Sequence, residues 1–124
     1  MKEIKIRLEQ VKKRMQDAAA AAQRKPEDIQ LLAVSKTRTA EEVIVAWGAG
    51  QRSFGENYLQ DALSKIEDLK HLPLEWHFIG ALQSNKTRPV AESFDWVHTL
   101  EREKIAVRLS EQRPEEKGKL NICI

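Results

Sequence analysis

The 124-residue chain has a single cysteine, Cys123, which excludes an internal disulfide framework and any four-cysteine metal site. No pair or triplet of His, Cys, Asp and Glu stands at metal-ligand spacing. No Gly-rich phosphate loop of either common type is present. No apolar run reaches the length of a membrane span, and the first residues lack the charged-then-apolar pattern of a secretory leader. Charge of one sign is also missing: 21 Lys and Arg stand against 19 Asp and Glu, a net charge of +2. With the signs mixed along the chain, there is no electrostatic footprint for DNA or RNA. The expectation is a cytoplasmic protein with neither a nucleic-acid nor a membrane partner.

What is present is an ordinary globular balance, 41% hydrophobic and 32% charged, in a length that suits one compact domain and not two. Residues 2–24 carry Ile4, Leu8, Val11, Met15 and Ala18 or Ala19 at helical spacing, and Pro26 cannot continue that ladder. Apolar strands are then predicted at 29–35, 52–55, 74–79, 94–98 and 120–124. They alternate with amphipathic helices at 40–48, 57–70, 85–93 and 101–112. Strands separated by helices at this pace predict βαβ units and a parallel sheet. The fold class is therefore α/β: an N-terminal helix, about four βα units and a fifth strand, roughly half of a (β/α)8 barrel. A complete barrel of eight units needs about 250 residues. The three tryptophans, Trp47, Trp76 and Trp96, are read as core or helix–strand packing.

The strand Leu31-Leu32-Ala33-Val34 is apolar without interruption and ends on Ser35-Lys36-Thr37, just before a helical pattern opens at Thr39. Lysine is among the residues least often buried, and the carboxyl ends of parallel strands are where barrels place their chemistry. A partly desolvated amine there would be a nucleophile toward a carbonyl; the same position also suits a lysine that merely turns to solvent. If the sheet is parallel, the next strands deliver Gly55-Glu56-Asn57, then His77 with Phe78-Ile79-Gly80, then His98 and Thr99, all to the same rim. Asn57 could instead cap its helix, His77 could be a hydrogen-bonded core histidine, and Thr99 could cap the helix that follows it. Gln83-Ser84-Asn85-Lys86 could cap a helix or offer a pocket amide.

Four of these stretches together carry a resemblance: Leu32-Ala33-Val34-Ser35-Lys36-Thr37, Phe54-Gly55-Glu56-Asn57-Tyr58, Trp76-His77-Phe78-Ile79-Gly80 and Leu82-Gln83-Ser84-Asn85-Lys86. In this order the chain resembles the pyridoxal phosphate homeostasis proteins, the YggS-like family, similar in fold to the N-terminal domain of alanine racemase. The resemblance implies a barrel that carries pyridoxal 5′-phosphate as a Schiff base on Lys36, with Asn57, His77 and Gly80 lining the cofactor pocket. It also implies a non-catalytic carrier and buffer of vitamin B6, not an enzyme. A racemase using the same cofactor would need a second acid–base group, for which Tyr58 or His77 is the nearby candidate.

Family members run to nearly twice this length. The resemblance implies that residues 1–124 form a single domain equal to half of the barrel. The phosphate-gripping turns belong to the half that is absent, so the cofactor is expected to be bound weakly or not at all. An open sheet edge near Ile122-Cys123-Ile124 would invite pairing with a second copy or with the missing half; a cofactor-free fragment that only self-associates is the remaining alternative.

Overall fold

The computed structural model describes all residues, 1–124. Helix α1 (Lys2–Ala21) precedes a 3-10 turn at Pro26–Asp28, where the proline ring fixes the first backbone angle. Five strands and four helices then alternate: β1 (Ala33–Val34), α2 (Ala40–Gly48), β2 (Ser53–Glu56), α3 (Leu59–Asp68), β3 (Glu75–Phe78), α4 (Thr87–Ser93), β4 (Trp96–Val97), α5 (Glu103–Gln112) and β5 (Asn121–Ile122). All strands are parallel and lie in sequence order, each beside its neighbour in the chain. The α/β expectation holds. The strands are shorter than the apolar runs suggested; residues 29–32, for example, flank β1 without joining its ladder.

The start of α2 is written in its sequence. Thr39 accepts a hydrogen bond from the Glu42 amide, and the Glu42 carboxylate accepts one from the Thr39 amide, a complete capping box. Gly50, at φ 99°, turns the chain after this helix in a conformation that few other residues adopt.

Register sorts the strand residues into rows. Ala33, Phe54 and Trp76 are paired across the sheet, as are Glu56, Phe78, Val97 and Ile122; these two rows face the helices. Their apolar members pack with Val43, Ala46, Ala62, Leu69, Val90, Ala91, Phe94, Ile105 and Leu109 into one core. The row between them, Val34, Gly55, His77, Trp96 and Asn121, points to the opposite face. That face is open: Val34 is 51% exposed, whereas Val97 on the helix side is fully buried. Of the three tryptophans, Trp76 joins the core, but Trp96 does not; alternation along β4 turns it to the open face, where it stacks on His77.

Candidate active rim and its support

Because the sheet is parallel, the ends of β1, β2 and β3 bring Lys36, Asn57 and Gly80 to one edge. Lys36 lies in an exposed turn immediately after Ser35, so of the two readings of its sequence context the structure shows the solvent-facing one. The turn is bent sharply. Thr37 sits at φ 63°, in the left-handed region, where a β-branched side chain crowds the backbone at a cost of about 1–3 kcal/mol.

Asn57 does not cap α3. The residue at the cap is Tyr58, and no side chain fills that role. The Asn57 Oδ1 is buried without a hydrogen-bond partner. Gly80 lies against it so closely that a Cβ at position 80 would come within 2.9 Å of the Asn57 Cβ. Thr99 does not cap a helix either, since α5 begins only at Glu103; its hydroxyl donates to the Gly80 carbonyl at 2.5 Å. Asn57, Gly80 and Thr99 are thus locked side by side. Thr99 also borders a polar cleft of about 480 Å³ with Gln83, Ser84, Asn85 and Arg102. None of residues 83–86 caps a helix through its side chain, and three of them line this cleft.

His77 lies on the open face of the sheet and is nevertheless buried, covered by the parallel ring of Trp96 at 5.4 Å. Both of its ring nitrogens are engaged: Nε2 with Glu75 Oε1 at 2.7 Å and Nδ1 with His98 Nε2 at 2.8 Å. A carboxylate can only accept, so Nε2 of His77 donates, and a single proton lies between Nδ1 of His77 and Nε2 of His98. Glu75 also accepts from Ser53 at 3.1 Å and Gln30 at 3.3 Å. Burial alone would raise the Glu75 carboxyl, but the hydrogen bonds from His77, Gln30 and Ser53 outweigh it and hold the group below its ordinary range. Of the two sequence readings of His77, a pocket residue or a hydrogen-bonded core histidine, the structure shows the hydrogen bonds. The sequence reading missed Glu75 and placed His98 at the rim without pairing it to His77.

His98 is held below its ordinary value of 6.5, first by burial and then by the neighbouring His77. The unfolded chain therefore takes up a proton that the folded chain refuses, and stability falls as pH drops from about 6.5 through the folded value. The groups facing His98 from adjacent strands are His77 and, through it, Glu75. Urea midpoints compared at pH 8 and pH 5.5 should show this acid loss in the wild type and a smaller one in His98→Asn. An equal loss in both proteins would locate the titration elsewhere.

On the helix side of β2 lies a second polar group that the sequence reading passed over. Glu56 is fully buried, and Lys65 of α3 reaches it with Nζ to Oε2 at 2.8 Å. The same ammonium donates to the Ser35 carbonyl at 2.7 Å and meets Asp61 at 3.0 Å. The Ser35 hydroxyl donates to the same Glu56 oxygen, and the Ser35 amide to the Gly55 carbonyl. A signal was available: Lys65 stands three residues after Ala62 and four before Leu69, on the apolar stripe of α3.

No family model matches the chain. It is 56% identical over 124 residues to the pyridoxal phosphate homeostasis protein of Pseudomonas aeruginosa and 52% identical over 127 residues to that of Escherichia coli K12, alignments that take in 100% of this chain. The chain is similar along its whole length to these pyridoxal phosphate homeostasis proteins. It spans 54% of each of those two.

Solved structures are similar to the chain as well. PipY of Synechococcus elongatus without PLP superposes with a TM-score of 0.74 at 40% identity, over 89% of this chain and 52% of PipY. PipY with PLP bound gives 0.67 at 42% identity, over 79% and 47%. A protein of unknown role from Bifidobacterium adolescentis gives 0.83 at 30% identity, over 90% and 49%. The stretches singled out in the sequence, Lys36-Thr37, Glu56-Asn57 and His77 to Gly80, lie at or beside the rim described above. No helix of the chain is long and apolar enough to cross a membrane.

Proposed function

We propose that this chain binds pyridoxal 5′-phosphate at the rim formed by the ends of β1, β2 and β3, with Lys36 as the covalent partner in a Schiff base. The role is that of a carrier and buffer of vitamin B6. The observation that carries the reading is the juxtaposition of an exposed amine at the end of β1 with Asn57 at the end of the adjacent β2. The buried Oδ1 of Asn57 lacks a partner, and Gly80 leaves no side chain over it.

The residues present fit such a group. Lys36 supplies the amine for an aldehyde carbon. Asn57 offers an acceptor for a donor on the ligand, and its place is fixed by Gly80, which Thr99 holds in turn. When bound, the cofactor contributes an aldehyde and an electron-withdrawing ring. His77 belongs beneath the site as a support. With both ring nitrogens committed to Glu75 and His98, it has no free base to offer, and the Tyr58 phenol is 52% exposed, which favours a carrier over a racemase. The names of the curated relatives agree with that choice. Cytoplasmic placement follows from the same role and from the single thiol.

We also infer that residues 1–124 act as one domain corresponding to half of the relatives' barrel. The outer edges of β1 and β5, which have no neighbouring strand, would pair with the remaining half or with a second copy.

The test is to add pyridoxal phosphate to the purified chain, reduce with borohydride and locate the adduct by peptide mass spectrometry. One adduct per chain on Lys36 is expected. Labelling scattered over the surface lysines in proportion to exposure would overturn the reading.

A further inference from the structure

We propose that the buried Lys65–Glu56 pair is the positioning device for Lys36, acting through Ser35. The inference rests on the reading of Lys36 as the covalent site and adds the groups that aim it.

The residue before Lys36 is held from several directions. Its amide donates to Gly55 O at 3.0 Å, and its carbonyl accepts from Lys65 Nζ at 2.7 Å and from the Arg38 amide at 3.0 Å. Its hydroxyl donates to Glu56 Oε2. The residue after Lys36, Thr37, sits at φ 63°. A turn of this kind persists only when its surroundings determine it. The surroundings here are one charged cluster: Lys65 has 5% of its side chain exposed, Glu56 has none, and Asp61 at 3.0 Å completes the contacts of the ammonium. Burying two charges is a poor way to gain stability alone, because an apolar pair of similar volume does as well or better. What the charged pair adds here is direction: an ammonium that donates at once to Glu56 and to the backbone carbonyl next to Lys36 fixes the end of β1 relative to α3. Neither residue touches the ligand position, so both are positioning residues.

The step they would serve is balanced within the site. The Lys36 Nζ lone pair bonds the aldehyde carbon of pyridoxal phosphate, and the carbonyl oxygen leaves as water with both amine hydrogens. Borohydride then delivers hydride to that carbon, and solvent supplies a proton to nitrogen.

Selectivity within one molecule tests the proposal. The chain is treated with pyridoxal phosphate and borohydride, and labelling of Lys36 is divided by labelling of the exposed Lys13 and Lys70. The ratio is compared in the wild type, in Glu56→Gln/Lys65→Met and in Ser35→Ala, with folding checked by circular dichroism. A purely structural role would lower the melting temperature without moving this ratio in the folded protein. Misplacing a reacting group by about 1 Å can cost about a hundredfold, so the ratio should fall roughly tenfold or more in the double variant. It should fall by a smaller factor in Ser35→Ala, which removes only the hydroxyl link and decides the matter if the double variant fails to fold. A wild-type preference for Lys36 that survives intact in a folded variant overturns the positioning role and leaves the Lys36 reading standing. A wild type with no preference overturns both.

Discussion

Lys65→Met alone should cost the fold about 3–5 kcal/mol, the penalty for stranding a buried charge. Glu56 has no exposed side-chain surface, its Oε1 already lacks a partner, and Lys65 is its only cation. Removing the ammonium leaves a carboxylate in the core with one hydroxyl to solvate it, and leaves the Ser35 carbonyl without its side-chain donor. Against a total stability of about 5–15 kcal/mol for a domain of ordinary size, such a loss takes away a large share of the folding free energy. Glu56→Gln/Lys65→Met should recover most of it, since the stranded charge is gone. Urea denaturation of the three proteins checks this; a single-variant loss below about 1 kcal/mol would mean that water reaches Glu56.

Phe94→Ala should be comparably damaging, at about 3–5 kcal/mol. The ring is fully buried and meets Phe78 edge to face, with centroids 5.3 Å apart. It also ends α4: its amide donates to Val90 O at 3.0 Å and its carbonyl accepts from the Arg113 guanidinium at 2.5 Å. Those backbone contacts survive the substitution, so the loss measures the cavity. Phe94→Leu, which keeps most of the volume, should cost less than about 1.5 kcal/mol. Equal losses for Leu and Ala would point to the ring contact with Phe78 and not to volume.

The alternation of strands and helices, and the parallel sheet it implies, were legible because apolar period and element length change together along the chain. Helix α2 was readable at both ends: Thr39 and Glu42 form its capping box, and Gly50 turns the chain after it. Other ends were less so. The polar residues after strands looked like caps because asparagine and threonine prefer such positions, but Asn57 and Thr99 face the rim and Gly80. The helices start one and three residues later than those side chains would suggest, with Tyr58 and Arg102 at the cap positions. What the sequence concealed was the side on which each polar residue falls. Glu56 lies between Gly55 and Asn57 and His77 between Trp76 and Phe78, yet parallel register sends Glu56 to the helices and His77 to the open face. Their partners, Lys65 and His98, are nine and 21 positions away. A lysine on an apolar stripe looks like an interruption until the acid beneath it is found.

The succession β1-β2-β3-β4-β5 has a kinetic consequence. Ala33 pairs with Phe54, Phe54 with Trp76 and His77 with Trp96, so each closure spans roughly twenty residues of chain. No strand must wait for a distant one. Closures of such even length let folding spread from whichever βα unit forms first, each finished strand serving as the template for the next. Damage at one point along such a row should therefore arrest growth on its far side while the units already laid down persist. In hydrogen exchange, the Phe94→Ala protein should keep protection in β1 and β2 longer than in β4 and β5.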